Sequence, residues 1–255
     1  MLMKISHICF CGNPIETQFL LEAIGYRSKF STVLRPMNIT QQLISKPVKK
    51  IKMSFWESLN SICIEVLEFD DYSFQHGLIK PIFIGNSDKS KFIAVSNRIN
   101  VDENCNYKIG NLLGTEIYYD ISIQADDFFF SSFLIVSNNF NKSIFFWKTL
   151  GFNLVKNNFK EALLEFKCFF TKNFVSLHLI YDETKQIVFE DIDSLGFHVI
   201  GFISNSTYYE RERMKKYAFA PTDIEQIKLN NNVMDIFYLR SPEGLIIEII
   251  SLVNS

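Results

Sequence analysis

The sequence lacks several features that would place it in a specialised class of protein. No apolar stretch reaches the ~18 residues of a membrane-spanning helix, and the first residues lack the charged, apolar and cleavage regions of a secretory signal. The net charge is −2 and the pI about 6.1, which argues against a nucleic-acid partner held through phosphate contacts. The 5 cysteines are an odd number without the spacing of a zinc motif. We therefore expect a cytoplasmic protein with reduced thiols and neither a membrane nor a nucleic-acid partner.

The chain does contain enough apolar sequence for a packed core, and it carries one pattern twice. Hydrophobic residues make up 47% of the 255 residues and charged residues 21%, so extended disorder is not expected. A short apolar strand, an asparagine, a helix and a glycine occur around Asn13 and Gly25, and again around Asn139 and Gly151. Both pairs have the same offset, about half the chain, which indicates duplication of a whole domain. We predict two domains, residues 1–124 and 125–255.

Each half is predicted to hold two units, each made of a strand, a helix and two or three further strands. Units one to four begin near residues 1, 77, 128 and 197. In unit one, Asn13 and Glu16 form the pattern of a capping box at the start of the helix, and Gly25 supplies its left-handed end. In unit four, Thr207 and Glu210 predict a second capping box. Unit two fits the pattern poorly, although its residues 88–99 could form a helix.

Four polar residues interrupt apolar strands in units one and four. His7 and His198 lie early in the opening strands, and Glu65 and Glu248 lie in the closing strands. A carboxylate on an apolar strand must be solvated, paired or bound to a cation, because burying it alone costs several kcal/mol. The simpler interpretation is an exposed strand face, but the equivalent positions in two units favour a shared site.

The pattern resembles the vicinal oxygen chelate superfamily, which includes glyoxalase I, methylmalonyl-CoA epimerase, extradiol dioxygenases and the fosfomycin and bleomycin resistance proteins. The resembling segments are Ser6–Phe10, Phe19–Tyr26, Phe145–Phe152 and Ser241–Glu248. The resemblance implies an α+β fold of tandem βαβββ modules with curled mixed sheets, in which the second unit is degenerate. Since such motifs are short and apolar, they support the fold better than the function.

The resemblance also implies a metal centre. His7 and Glu65 match one half-site of the family, and His198 and Glu248 match the other. If units one and four pair, these four residues would bind a divalent metal ion (Ni, Zn, Mn, Co or Fe), and Glu65 or Glu248 would shuttle a proton. The implied protein is a metal-dependent lyase, isomerase or epimerase that acts on a small oxygenated substrate through a metal-stabilised enediolate.

Two alternatives stay open at this stage. If units three and four pair instead, His178, His198 and Glu248 would form a set suited to a non-haem iron dioxygenase. The fold also suits a metal-free protein that binds a small molecule. Under each of these hypotheses we expect a monomer or a homodimer. Units two and three depart from the ligand pattern. Where a histidine is expected, unit two has Lys80 or Ile79, and unit three has Phe133. We therefore expect at most one complete site.

Overall fold

The computed structural model describes residues 2–58, 61–70, 73–76, 78–84, 107–112, 115–120, 129–167, 174–189, 191–229 and 231–253. In the first half of the chain the elements are β1 Leu2–Cys11, α1 Pro14–Ala23, β2 Arg27–Leu34, α2 Asn38–Gln41, β3 Ile51–Glu57, β4 Cys63–Glu68, β5 Ser73–His76, β6 Lys80–Ile84, β7 Tyr107–Leu112 and β8 Thr115–Asp120. In the second half they are β9 Phe129–Ser137, α3 Phe140–Thr149, β10 Asn153–Asn157, β11 Glu161–Lys167, β12 Phe174–Tyr181, β13 Ser194–Ser204, α4 Thr207–Lys216, β14 Glu225–Leu229, β15 Asn232–Arg240 and β16 Ile246–Leu252.

Units one, three and four each have the predicted order of a strand, a helix and three strands. They comprise β1 to β4, β9 to β12, and β13 to β16, with the short helix α2 inserted between β2 and β3. The α+β fold class is therefore confirmed. The helix predicted at residues 88–99 and the domain boundary predicted after residue 124 both lie outside the described residues, and the division into two domains stays a prediction.

The strands form two mixed sheets, and each sheet combines strands from both halves of the chain. The nine-stranded sheet has the order β14-β15-β16-β13-β1-β4-β3-β2, with β5 also paired to β13. The seven-stranded sheet has the order β10-β11-β12-β9-β6-β8-β7. Unit one therefore pairs with unit four, and unit two pairs with unit three. Of the two pairings that the sequence left open, this is the one that joins the predicted half-sites.

The helix signals in the repeated pattern act as expected. The Asn13 side chain accepts a hydrogen bond from the backbone N–H of Ile15 at 3.0 Å, and so begins α1. Gly25 and Gly151 end their helices with φ angles of 84° and 104°, in the left-handed region that other residues disfavour. The side chain of Glu16 lies outside the described part of the chain, so the capping box itself stays a prediction.

The capping box predicted for α4 is wrong by one residue. Ser206 is the N-cap, and its side chain accepts from the backbone N–H of Tyr209 at 3.2 Å. Thr207 is instead the first helical residue, and the buried Glu210 carboxylate accepts from Arg213 at 2.8 Å. Because serine and threonine are both favoured N-cap residues, and element ends shift by a residue or two, a sequence pattern does not fix which of two adjacent candidates is the cap.

The two faces of the nine-stranded sheet bury different apolar clusters. On β1, Ile8 and Phe10 join the larger core, which reaches residues of the other sheet and of α3 such as Trp147. Cys9 and Cys11 lie on the opposite face, in a smaller cluster that includes residues of α2. Strand alternation places His7 on this second face too.

No helix among the described residues combines the length and apolar character needed to cross a membrane.

Candidate metal centre

Strands near the middle of the nine-stranded sheet bring three of the four predicted site residues together. β1 runs parallel to β4, with Cys9 beside Glu65, and antiparallel to β13, with His7 opposite Gly201. β13 in turn runs parallel to β16, with Gly201 beside Glu248. As a result, one ligand atom from each of His7, Glu65 and Glu248 lies within 4.8 Å of the other two. We refer to these three residues as the triad.

The imidazole of His7 is buried between the two carboxylates. Its Nε2 lies 2.9 Å from an oxygen of Glu248 and 3.5 Å from an oxygen of Glu65. Nε2 thus forms an ion pair with the carboxylates whenever the ring is protonated. The other nitrogen, Nδ1, is 2.8 Å from the Ser6 hydroxyl. If Nδ1 donates to Ser6, the Nε2 lone pair is available to a metal.

Burial and charge act on His7 in opposite directions. Burial disfavours the charged ring, but the neighbouring carboxylates of Glu65 and Glu248 outweigh it and raise the pKa of His7 from 6.5 to about 10. At neutral pH a proton therefore occupies the imidazole, and one positive charge faces two negative ones. A divalent cation would compete with this proton for the same nitrogen.

The two carboxylates are held differently. Glu248 accepts a hydrogen bond on its second oxygen from the hydroxyl of Tyr238 at 3.1 Å. Burial and the charge of Glu248 raise the pKa of Tyr238 well above its usual value, so the phenol stays a donor. The Glu65 side chain is 17% exposed, against 10% for Glu248, and it lies farther from His7. Glu248 is therefore the more tightly fixed of the two.

Gly201 provides the space that the His7 ring occupies. A Cβ atom added at Gly201 would lie 2.2 Å from Cε1 of His7, 2.6 Å from Nδ1 and 2.7 Å from Nε2. All three distances are far below van der Waals contact, and no backbone atom is among these nearest neighbours. A glycine inside a strand often marks such a close approach. The triad thus depends on this glycine as well as on its own residues.

His198 does not join the triad, which corrects the predicted four-residue set. On β1 and β13, Cys9 is opposite Val199, but the next residue, Phe10, is opposite Phe197. His198 is thus the extra residue of a β-bulge, and a bulge shifts which face a side chain occupies. In unit one, Cys9 lies beside Glu65, and His7 precedes Cys9 by two residues. In unit four, Gly201 lies beside Glu248, and Val199 precedes Gly201 by two residues. Val199 therefore takes the position that His7 has in unit one.

The ring of His198 instead contacts the backbone. Its Nδ1 lies 2.9 Å from the carbonyl oxygen of Gly196, and its Nε2 lies 2.7 Å from that of Ile192. Burial lowers the pKa of His198 to about 4, although both carbonyls favour the charged ring. A neutral ring donates through only one of its nitrogens, so one of these two contacts is a hydrogen bond. Both nitrogens face backbone carbonyls at or just before the start of β13, and neither belongs to the triad.

The alternative set for an iron dioxygenase is not brought together. His178 lies in β12 of the seven-stranded sheet, whereas His198 and Glu248 lie in the nine-stranded sheet. Ile79 and Phe133, at two of the expected histidine positions of units two and three, are buried in the core. Among the described residues, the triad is the one group of three metal-binding side chains with ligand atoms this close.

The triad lies in the wall of a cavity of about 370 Å³. We refer to it as the site cavity. Its other lining residues come from the strands of units one and four, from α2 and from the loops beside them, and most of them are apolar: Ser6, Cys9, Lys29, Phe30, Leu34, Arg35, Pro36, Met37, Thr40, Ile51, Met53, Phe55, Leu67, Ile192, Val199, Ile203, Ile227, Leu229, Met234, Ile236, Tyr238, Ile250 and Leu252. This volume falls within the range of small-molecule sites.

Two contributors to the site were missed by the sequence analysis, and both left a signal. Tyr238 is directly opposite Glu248 on β15 and β16, and the register of that hairpin follows from the turn at Ser241–Gly244. Residues directly opposite each other on paired strands point to the same face, so the Tyr238 side chain lies on the face of Glu248. Gly201 interrupts an apolar strand, which indicates a bulge or a close approach.

Comparisons with known proteins agree with this architecture. No family model matches the chain, and no curated protein matches its sequence. Among solved structures, glyoxalase I from Zea mays is similar over 97% of this chain and 92% of its own, with a TM-score of 0.64 and 14% identity. A proposed dioxygenase from Bacillus subtilis subsp. subtilis str. 168 is similar over 98% of this chain and 85% of its own, with a TM-score of 0.61 and 12% identity. At these identities the likeness shows the fold alone.

Proposed function

Because the chain has the fold of the vicinal oxygen chelate superfamily, we propose that it is a metal-dependent enzyme of glyoxalase type. It would act as a lyase, isomerase or epimerase on a small oxygenated substrate in the site cavity. A divalent ion (Ni, Zn, Mn, Co or Fe) would be held by His7, Glu65 and Glu248. This set is smaller than the four-residue set of the sequence prediction, because Val199 takes the place of the second histidine.

The observation that carries the proposal is the convergence of three side chains on one point. One ligand atom from each of His7, Glu65 and Glu248 lies within 4.8 Å of the other two, and the buried Nε2 of His7 lies 2.9 Å and 3.5 Å from the two carboxylates. In the metal-free protein a proton on the imidazole balances part of their charge, and a divalent ion would take the place of that proton. One imidazole nitrogen and two carboxylates form a donor set that a divalent transition metal accepts. The hydroxyl of Ser6 hydrogen-bonds to His7 and that of Tyr238 to Glu248, and each would fix the orientation of its metal-binding partner.

The two glutamates are suited to different tasks. A divalent ion, when bound, would polarise an oxygen atom of the substrate. Glu248 is fixed by Tyr238 and would remain a ligand throughout. Glu65 has greater exposure and a looser contact with His7, so it is the better candidate to take a proton from the substrate and return it. The apolar wall around the triad would exclude water from this transfer.

Metal analysis of purified variants tests the proposal. The wild type, reconstituted separately with each candidate metal, is expected to retain about one equivalent after gel filtration, as read by plasma mass spectrometry. His7→Ala should lose it, because the variant removes the sole imidazole of the triad. His178→Ala is the matched control: its histidine is also on a strand but in the other sheet, so the variant should retain the metal.

Other results would point to the remaining candidates. Oxygen-sensitive iron lost in His178→Ala and kept in His7→Ala would support the alternative dioxygenase set and contradict the proposed triad. Absence of metal from every reconstituted sample would favour a metal-free binding protein, for which the largely apolar cavity is suited.

A further inference from the structure

The wall of the site cavity divides into a polar floor and an apolar remainder. The triad and Tyr238 lie on β1, β4, β15 and β16. Away from them the wall is mainly apolar on both sides, and includes Phe30 and Met53 of unit one and Ile227 and Met234 of unit four. A ligand that fills this volume must therefore carry a substantial apolar body, because apolar walls leave polar groups of a ligand without partners.

Two cationic side chains also line the site cavity, and their situations differ. The ammonium of Lys29 lies 2.6 Å from a carboxylate oxygen of Glu57, so its charge is already balanced within the protein. Arg35 is exposed and makes no ion pair or hydrogen bond with any residue in the described part of the chain. An arginine that lines a cavity without a protein partner can bind an anionic group of a ligand through its planar fork of donors.

Arg35 lies well away from the triad. Phe30 on β2 is opposite Phe55 on β3, which is opposite Glu65 on β4, and Arg35 follows five residues after Phe30. At ~3.3 Å per residue and ~4.8 Å between strands, the Cα atoms of Glu65 and Arg35 would be roughly 19 Å apart in a flat sheet. Curling of the sheet and the length of both side chains shorten the gap between their charged groups. A ligand that reaches both ends must be elongated.

We propose that the site cavity binds an amphipathic anion whose apolar body fills the cavity and whose carboxylate, sulfonate or phosphate group binds Arg35. This substrate class rests on the proposed function, since the opposite end of the molecule would present its oxygen atoms to the triad. In the metal-free protein used for the test below, the anion belongs at Arg35 and not at the triad, because Glu65 and Glu248 would repel it there while no divalent ion is bound. Arg35 is then a specificity-determining residue.

Two fluorescent probes in metal-free protein test the proposal. 8-Anilinonaphthalene-1-sulfonate is apolar and anionic, and N-phenyl-1-naphthylamine is apolar and uncharged; both become fluorescent in apolar cavities. We expect both to bind the wild type. Arg35→Gln should weaken the sulfonate about fivefold, a modest factor because the guanidinium is exposed, and should leave the amine unchanged. The double variant Lys29→Gln, Glu57→Gln is the matched control and should alter neither affinity, because it removes the whole ion pair and leaves the net charge at the cavity unchanged.

Competition identifies the anionic group. Octanoate and octyl phosphate should each displace the sulfonate probe at lower concentration than octanol, and the stronger of the two names the preferred anion. The proposal is overturned if neither probe binds, if Arg35→Gln leaves the sulfonate affinity unchanged, if the double variant Lys29→Gln, Glu57→Gln weakens it equally, or if octanol competes as well as the anions. Because EDTA is present throughout, these outcomes do not depend on metal binding. Metal retention by wild-type protein tests the proposed function separately.

Discussion

Substitution of Gly201 by alanine should disable the metal centre without touching a ligand. The new methyl group would lie 2.2 Å from Cε1 of His7 and within 2.7 Å of both ring nitrogens. Normal carbon–carbon contacts are ~3.5 Å, so the ring must rotate away from Glu65 and Glu248. Because Gly201 has no positive φ angle, alanine introduces no backbone strain at this position. The effect is therefore steric and confined to the imidazole.

The expected size of the effect follows from this displacement. Overpacking a buried site costs about 1–3 kcal/mol, so the free energy of unfolding of metal-free Gly201→Ala should fall by about that amount. Metal affinity should fall by about 100-fold or more, since loss of a ligand exceeds the about 10–100-fold effect of disturbing a supporting residue. Urea denaturation in EDTA measures the first quantity, and calorimetric titration with Zn²⁺ measures the second.

A double substitution separates the steric effect from a general loss of stability. In His7→Ala the ring is absent, so adding Gly201→Ala should cost little further stability. The two substitutions should show a coupling energy of about 1–3 kcal/mol in a double-mutant cycle. Additive stability changes, or a Gly201→Ala protein that binds Zn²⁺ as tightly as the wild type, would refute the steric argument.

Three further predictions concern protons. The pKa of His7 is raised to about 10, so metal binding at pH 7 should release about one proton, which calorimetric titrations in buffers of different ionisation enthalpy measure. For the same reason, metal affinity should rise by about tenfold for each unit by which the pH is raised, up to pH 10. Since this pKa lies above the ordinary 6.5, His7 stabilises the metal-free fold fully below pH 6.5, and this contribution is lost as the pH rises through 10. In urea denaturation, His7→Ala should therefore remove the fall in stability between these two pH values. Burial raises the pKa of Glu243, whose carboxylate oxygens make no properly directed hydrogen bond, so its contribution to stability should fall as the pH rises above 4.5. Glu243→Gln should flatten this dependence and raise the urea midpoint at pH 8 relative to the wild type, and an unchanged pH dependence would contradict the assignment.

The sequence alone predicted the order of strands and helix in units one, three and four and named all three residues of the triad, for physical reasons. His7, Glu65 and Glu248 each interrupt a run of apolar strand residues, and strand alternation then predicts which face they occupy. The pairing of unit one with unit four could not be derived, since no local pattern states which edges of two similar modules meet. It became clear only from the register of β1 against β13.

His198 illustrates the opposite case. Its spacing within the apolar strand matches that of a ligand, but one bulged residue is enough to exchange the two faces of a strand. The bulge is set by pairing with β1, in which Cys9 is opposite Val199 and Phe10 is opposite Phe197. Its cause lies in a strand far away in the chain, so inspection of β13 alone does not reveal it.

The adjacency of β1 and β13 has a consequence for how the protein is made. A ribosome completes β1 well before β16, so Glu248 is synthesised long after His7. Closing so long a loop is slow compared with forming local contacts. A nascent chain that extends past β4 but stops short of β16 has an imidazole and one acid but no second acid. The capacity to hold a reactive cation would thus arise only when translation of β16 is finished.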